Sequence, residues 1–191
     1  FERIFLDKAR QYEEGGAAAI SCLTEPKFFL GSDQYLMQAR VAVELPILRK
    51  DFTIDEYQIY EAKCIGADAV LLICSLLSQG QLQEYLCQAH ELGLSALVEA
   101  HDADEVNAAL AAGANIIGVN NRNLKDFTVN PLNSLRLREQ IPADKIFVAE
   151  SGIAQASDCA GLKAAGVQAV LVGEALMRSA NPAGMLKEMR A

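Results

Sequence analysis

Apolar residues in this chain come in short unbroken runs, and most runs stop at a polar or charged residue. Leu45-Pro46-Ile47-Leu48 meets Arg49-Lys50-Asp51, Ser95-Ala96-Leu97-Val98 meets Glu99, Ile116-Ile117-Gly118-Val119 meets Asn120, and Ile146-Phe147-Val148-Ala149 meets Glu150-Ser151-Gly152. A strand covered on both faces reads as a continuous apolar stretch, and such strands belong to parallel sheets. The pattern predicts strands at 17–22, 45–49, 69–74, 95–99, 116–119, 145–149 and 169–172. Helical patterns with recognisable ends run between them. Asp55 caps a helix that closes near Ile65, and Asp102-Ala103-Asp104-Glu105 has the form of a capping box. Asn130-Pro131 and Asn181-Pro182 each pair a cap with proline at the first helical position. Gly16, Gly66, Gly93, Gly113 and Gly166 each stand just before a strand, where a helix can exit through a left-handed residue.

Strand–helix alternation at this spacing means parallel strands joined by right-handed crossovers. Seven such units are an awkward number, and residues 7–14 already read as the end of a helix. The expected fold is an α/β (β/α)8 TIM barrel, one domain over residues 1–191, with the first strand and its loop absent from this sequence. A complete barrel typically takes about 250 residues, so this length is slightly short.

Composition narrows the function. A formal charge of −8 argues against nonspecific binding to nucleic acid or an anionic membrane, but leaves room for an anionic small substrate at a locally positive site. The five cysteines are odd in number and scattered, with no C-x-x-C, and read as free thiols of a reducing cytoplasm. Two histidines are too few for a histidine metal cage. No apolar run approaches the roughly 18 residues of a membrane span.

The candidate chemistry sits at the strand ends, where α/β folds place their sites. Lys50 is either a solvated lysine paired with Asp51 or a proton donor to a developing oxyanion, its pKa lowered by burial. Strand alternation turns Arg49 and Asp51 away from it. Glu99 and Glu150 are ion-pair or capping residues, or a pair in which one carboxylate stays ionised while the other exchanges protons. Asn120 could hold a hydroxyl, and its neighbour Asn121 could equally make a turn. Ser151-Gly152 and Gly173-Glu174 follow the last two strands and could cradle a phosphate through backbone N–H groups, unless the glycines only make tight turns. Glu174 suits an anion site only if its side chain points away. Arg122 could supply the positive charge. Phe28 and Phe29 either anchor a loop or wall an apolar pocket with Phe52. His90 and His101 read as structural.

Six stretches then resemble one family in the correct order along nearly the whole chain: 23–29 (LTEPKFF), 46–52 (PILRKDF), 66–73 (GADAVLLI), 118–124 (GVNNRNL), 148–153 (VAESGI) and 172–178 (VGEALMR). They resemble indole-3-glycerol phosphate synthase. That resemblance implies a carboxy-lyase of tryptophan biosynthesis that works without metal or organic cofactor. Its reaction turns 1-(2-carboxyphenylamino)-1-deoxyribulose 5-phosphate into indole-3-glycerol phosphate, carbon dioxide and water. By motif position, Lys50 resembles the general acid of ring closure, and Glu99 the acid/base of dehydration. Asn120, Glu150 and Ser151 resemble the groups that orient the substrate. Arg122, Gly152, Gly173 and Glu174 match the phosphate site, the last three through backbone. Phe29, Phe52 and Leu71 match the apolar wall, with Leu124 in the same substrate-binding set. The family also carries a glutamate, a second lysine and a Ser-Pro-Ser-Lys-Gly-like loop on and after its first strand. Nothing in this sequence matches them, so the segment alone is expected to be nearly inactive. Fusion to, or association with, another tryptophan-pathway enzyme is an open expectation. A phosphoribosylanthranilate isomerase would call for a cysteine and an aspartate at the rim in place of a lysine and two glutamates. A non-catalytic scaffold is the remaining alternative.

Overall fold

Five helix exits set the frame of the molecule. The computed structural model describes residues 2–123 and 128–191. At Gly16, Gly66, Gly93, Gly113 and Gly166 the backbone takes φ between +68° and +91°. At each exit the next residue's N–H reaches back to a carbonyl five positions earlier, as in Ala67→Ala62, Leu94→Ala89, Ala114→Ala109 and Val167→Leu162. These bonds satisfy carbonyls that the helix end would leave unpaired. They also aim the chain directly into a strand.

The elements alternate as the hydrophobic pattern requires. They are α1 (Glu2–Glu14), β1 (Ile20–Leu23), α2 (Asp33–Ala42), β2 (Ile47–Lys50), α3 (Tyr57–Cys64), β3 (Ala69–Ile73), α4 (Gln79–Glu91), β4 (Ser95–Ala100) and α5 (Ala103–Ala111). They continue through β5 (Ile116–Asn120), α6 (Leu132–Leu137), β6 (Ile146–Glu150), α7 (Ala156–Ala164), β7 (Ala169–Leu171), α8 (Glu174–Arg178) and α9 (Pro182–Arg190). Among the described residues the seven strands form one parallel sheet in sequential order, β1 through β7. The predicted strands match in number and place, but β1 and β2 start two or three residues later than expected. In both cases the early residues finish the connection from the preceding helix.

Local ends differ from expectation in three places. Helix α3 has Glu56 at its N-cap, while Asp55 accepts from the Tyr57 N–H at 2.9 Å. At α5, Asp102 accepts from Glu105 N–H, but the Glu105 carboxylate turns to the His101 N–H, so only half of a capping box forms. Before α6, Pro131 occupies the cap position and Asn130 accepts from Leu132 N–H. At α9 the expected Asn181 cap and Pro182 are both present.

The strand residues divide cleanly between two faces. Ile47, Val70, Leu72, Ala96, Val98, Ile117, Val119, Phe147 and Ala149 point outward and pack under the helices in the main core. Leu48, Leu71, Ile73, Leu97 and Val148 point inward as a second cluster. Period-two alternation then places Lys50, Glu99, Asn120 and Glu150 inward as well, one layer above that apolar floor.

Candidate active site

The four polar strand ends converge. Lys50 Nζ donates to Glu99 Oε2 at 3.3 Å and lies 3.6 Å from Glu150 Oε2. Asn120 Nδ2 donates to Glu99 Oε1 at 3.0 Å, and Asn120 Oδ1 accepts from the Arg122 N–H at 2.9 Å. Glu99 and Glu150 are 2% and 1% exposed, so both carboxylates are taken out of water. Register explains the meeting: Glu99 sits opposite Ile73 and Gly118, and Asn120 sits opposite Glu150.

Burial and neighbouring charge separate the protonation behaviour of the two glutamates. Burial, reinforced by the Glu99 charge, raises Glu150 to about 7 against the pull of Lys50. Burial also works against ionised Glu99, but contacts with His101, Lys50 and Asn120 outweigh it and hold Glu99 near about 2. The expectation that burial lowers Lys50 is overturned. Burial acts in that direction, but the carboxylates of Glu150 and Glu99 win and hold the ammonium above the ordinary lysine value.

One participant escaped the sequence reading. His101 Nδ1 lies 2.9 Å from Glu105 Oε2, and its Nε2 lies 3.3 Å from Glu99 Oε1. Burial pulls its pKa down, but Glu105 and Glu99 lift it to about 9. His101 is therefore a cation beside Glu99, not an inert start to α5. The available signal was its place two residues beyond Glu99, which period-two alternation puts on the same side.

The aromatic residues gather on the loop after β1 and at the end of β2. The Phe29 and Phe52 rings are 4.7 Å apart, and Phe28 meets Phe52 edge-on at 5.9 Å. Glu25 holds this loop by accepting from the N–H groups of Lys27, Phe28 and Phe29. Leu71 is fully buried in the inward floor, the apolar cluster against which Phe52 packs.

On the far side, Ser151 and Gly152 both take left-handed backbone, with φ +65° and +75°. Asn121 ties this turn down. It is buried, donates to Ser151 O at 3.0 Å, and accepts from both the N–H and the hydroxyl of Ser134. Gly152 is fully explained by this geometry, because a Cβ there would also meet Val129 Cγ1 at 2.6 Å. Gly173 is different. It caps α8 without a side chain, its φ is −113°, and a Cβ on it would meet nothing within 4 Å. Neither backbone nor packing demands glycine there, which fits a ligand approaching the backbone. The Glu174 side chain does not turn away from the arginines. It lies 2.9 Å from Arg178 and 4.0 Å from Arg122. Leu124 lies outside the described residues.

Comparison with known proteins decides the family. The family model for indole-3-glycerol phosphate synthase matches residues 2–189. The chain belongs to the indole-3-glycerol phosphate synthase family. A synthase from Ruminiclostridium cellulolyticum is 58% identical over 186 residues, covering 97% of this chain and 72% of that protein. One from Endomicrobium trichonymphae is 58% identical over 182 residues, covering 95% of this chain and 70% of the relative. In fold, the chain resembles 3-hexulose-6-phosphate synthase from Salmonella typhimurium, with a TM-score of 0.79 at 18% identity over 98% of this chain and 89% of that one. It also resembles thiamine phosphate pyrophosphorylase from Pyrococcus furiosus, with a TM-score of 0.74 at 19% identity over 97% and 87% of the two chains. The fold is thus TIM-barrel-like. Among the described residues no helix is long and apolar enough to cross a membrane.

Proposed function

We propose that the charged layer around Lys50 is the reaction centre of an indole-3-glycerol phosphate synthase. The reaction closes a ring on 1-(2-carboxyphenylamino)-1-deoxyribulose 5-phosphate, with loss of carbon dioxide and water. One observation carries this reading: a single ammonium lies between two buried carboxylates, directly above an apolar floor.

Ring closure puts negative charge on a former carbonyl oxygen. Lys50, kept charged by its neighbours, offers that oxygen a fixed cation and a donated proton in a site with little water. Glu99, held ionised, is the base that takes a proton during dehydration. Glu150 titrates near neutrality, so it can present an O–H to a substrate hydroxyl, and Asn120 and Ser151 orient the same end of the molecule. Phe29 and Phe52 wall the aromatic ring, and Leu71 and Leu124 complete the apolar side. Arg122 with the backbone of Gly152, Gly173 and Glu174 holds the phosphate, which fixes the reacting ends at high effective molarity. The seven strands are then seven of the eight in a closed ring, with β1 and β7 flanking the remaining one, and the chain forms one domain.

The decisive test is Lys50→Met in the full-length gene product, followed by the fluorescence of the indole formed. Turnover is expected to fall by about 10²–10⁴-fold, the usual contribution of a general acid, with KM little changed. Turnover within twofold of wild type would remove Lys50 from the mechanism.

A further inference from the structure

Gly118 stands in the middle of β5, where glycine has no conformational reason to be. Its φ is not in the left-handed region, unlike that of six other glycines of the chain. A strand interior is weakened by glycine, which loses more freedom on folding and offers nothing to pack. Neighbouring inward positions are filled by Leu97, Ile116 and Val148. What occupies the missing volume is a carboxylate. A Cβ built on Gly118 would lie 2.1 Å from Glu150 Oε1, 3.2 Å from the Glu150 carboxyl carbon and 3.1 Å from Leu97 Cδ1. Glu150 Oε1 is itself buried and has no hydrogen-bond partner. The side chain therefore leans across the strand gap, rests on bare backbone, and turns its other oxygen to Lys50 at 3.6 Å.

We infer that Gly118 is a positioning residue for Glu150, a seat in the apolar floor without which that carboxylate cannot lie beside Lys50. The inference rests on the role given to Glu150 above. Carbon–oxygen contacts settle at about 3.3 Å, so an alanine at 118 would drive the Glu150 oxygen back by about 1 Å. The obstructed atom is the end of a flexible side chain, so the fold can absorb the change by moving Glu150. The reaction centre cannot, because a displacement of about 1 Å is enough to cost about 10²-fold in rate.

The test is a pair of double-mutant cycles in the full-length gene product. Gly118→Ala is expected to lower kcat by about 10²-fold with KM within about twofold, and to lower the melting temperature by about 3 °C. Glu150→Gln alone should lower kcat, and adding Gly118→Ala to it should cause no further loss. In a Glu150→Ala background, which empties the seat, Gly118→Ala should leave the melting temperature unchanged or raise it. Should Gly118→Ala prevent folding by itself, the Glu150→Ala partner is expected to restore it. Additive effects in the stability cycle, failure of that rescue, or full kcat in Gly118→Ala would overturn the seat. Full kcat in Glu150→Gln would instead remove Glu150 from the mechanism, and the stability cycle would still decide whether Gly118 seats it.

Discussion

Two ionic clusters share strand β2 and differ in almost everything else. Arg49 faces outward, Lys50 inward. Arg49 is closely partnered: four of its five N–H groups donate, to Thr24 Oγ1, Gln58 O, Asp33 and Glu61, and it lies 3.6 Å from Asp51. Asp51 in turn accepts from Thr24 and from the Phe52 N–H. The inward cluster is under-satisfied. Its lysine contacts are 3.3 and 3.6 Å, Glu150 Oε1 has no partner, and His101 Nε2 has an ion-pair neighbour without hydrogen-bond geometry. A buried charge with nearly every site filled holds structure in place and has little left to offer. A buried charge with sites open is costly to the fold and available to a ligand. Neighbouring residues on one strand thus serve stability and chemistry separately, because alternation points them to opposite faces.

The comparison can be broken most directly by exchanging the two phenotypes. Lys50→Met is expected to cost turnover, as above, with stability little affected because Glu150 can take up a proton once the ammonium is gone. Arg49→Met should do the reverse. It leaves the buried Asp51 without its cation, though still held by Thr24 and the Phe52 N–H, and should cost about 2–4 kcal/mol in urea unfolding, less than a fully buried pair because Asp33 and Glu61 keep water contact. A turnover loss in Arg49→Met as large as in Lys50→Met would erase the distinction.

A subtler probe is pH. His101 is raised from 6.5 to about 9, so the stability it contributes is complete below pH 6.5 and disappears as pH climbs towards 9. Glu150, raised from 4.5 to about 7, contributes fully below pH 4.5 and loses that contribution by about pH 7. Glu99 runs the other way. Its contribution is present above pH 4.5 and lost as pH falls towards 2. His101→Gln should therefore flatten the decline in unfolding free energy between pH 6.5 and 9, and an unchanged slope would show that His101 is not held charged. The smallest expected effect is a control far from either cluster. Ser78 caps α4 through a capping box with Gln81, and Ser78→Ala should cost about 1 kcal/mol while turnover stays at the wild-type level.

Much of this was legible before any coordinates. Hydrophobic runs placed all seven strands, because a strand buried on both faces leaves few places for a polar residue except its ends. The glycines before five of the seven strands marked the helix exits, because only glycine enters left-handed backbone without strain. Motif order named the family and gathered Lys50, Glu99, Asn120 and Glu150 at one rim. Tertiary structure decided what no local pattern carries. The sign of the Lys50 shift depends on two carboxylates 49 and 100 positions away in the chain, whose approach outweighs burial. His101 acquired a part because Glu99 and Glu105 close on both of its ring nitrogens. Gly118, one glycine among thirteen, is set apart by the Glu150 carboxylate that a neighbouring strand lays over it. Sequence determines which residues can ionise, turn or pack, since those are properties of single side chains and short windows. Distance between strands determines which of them do, since charge and volume act through space.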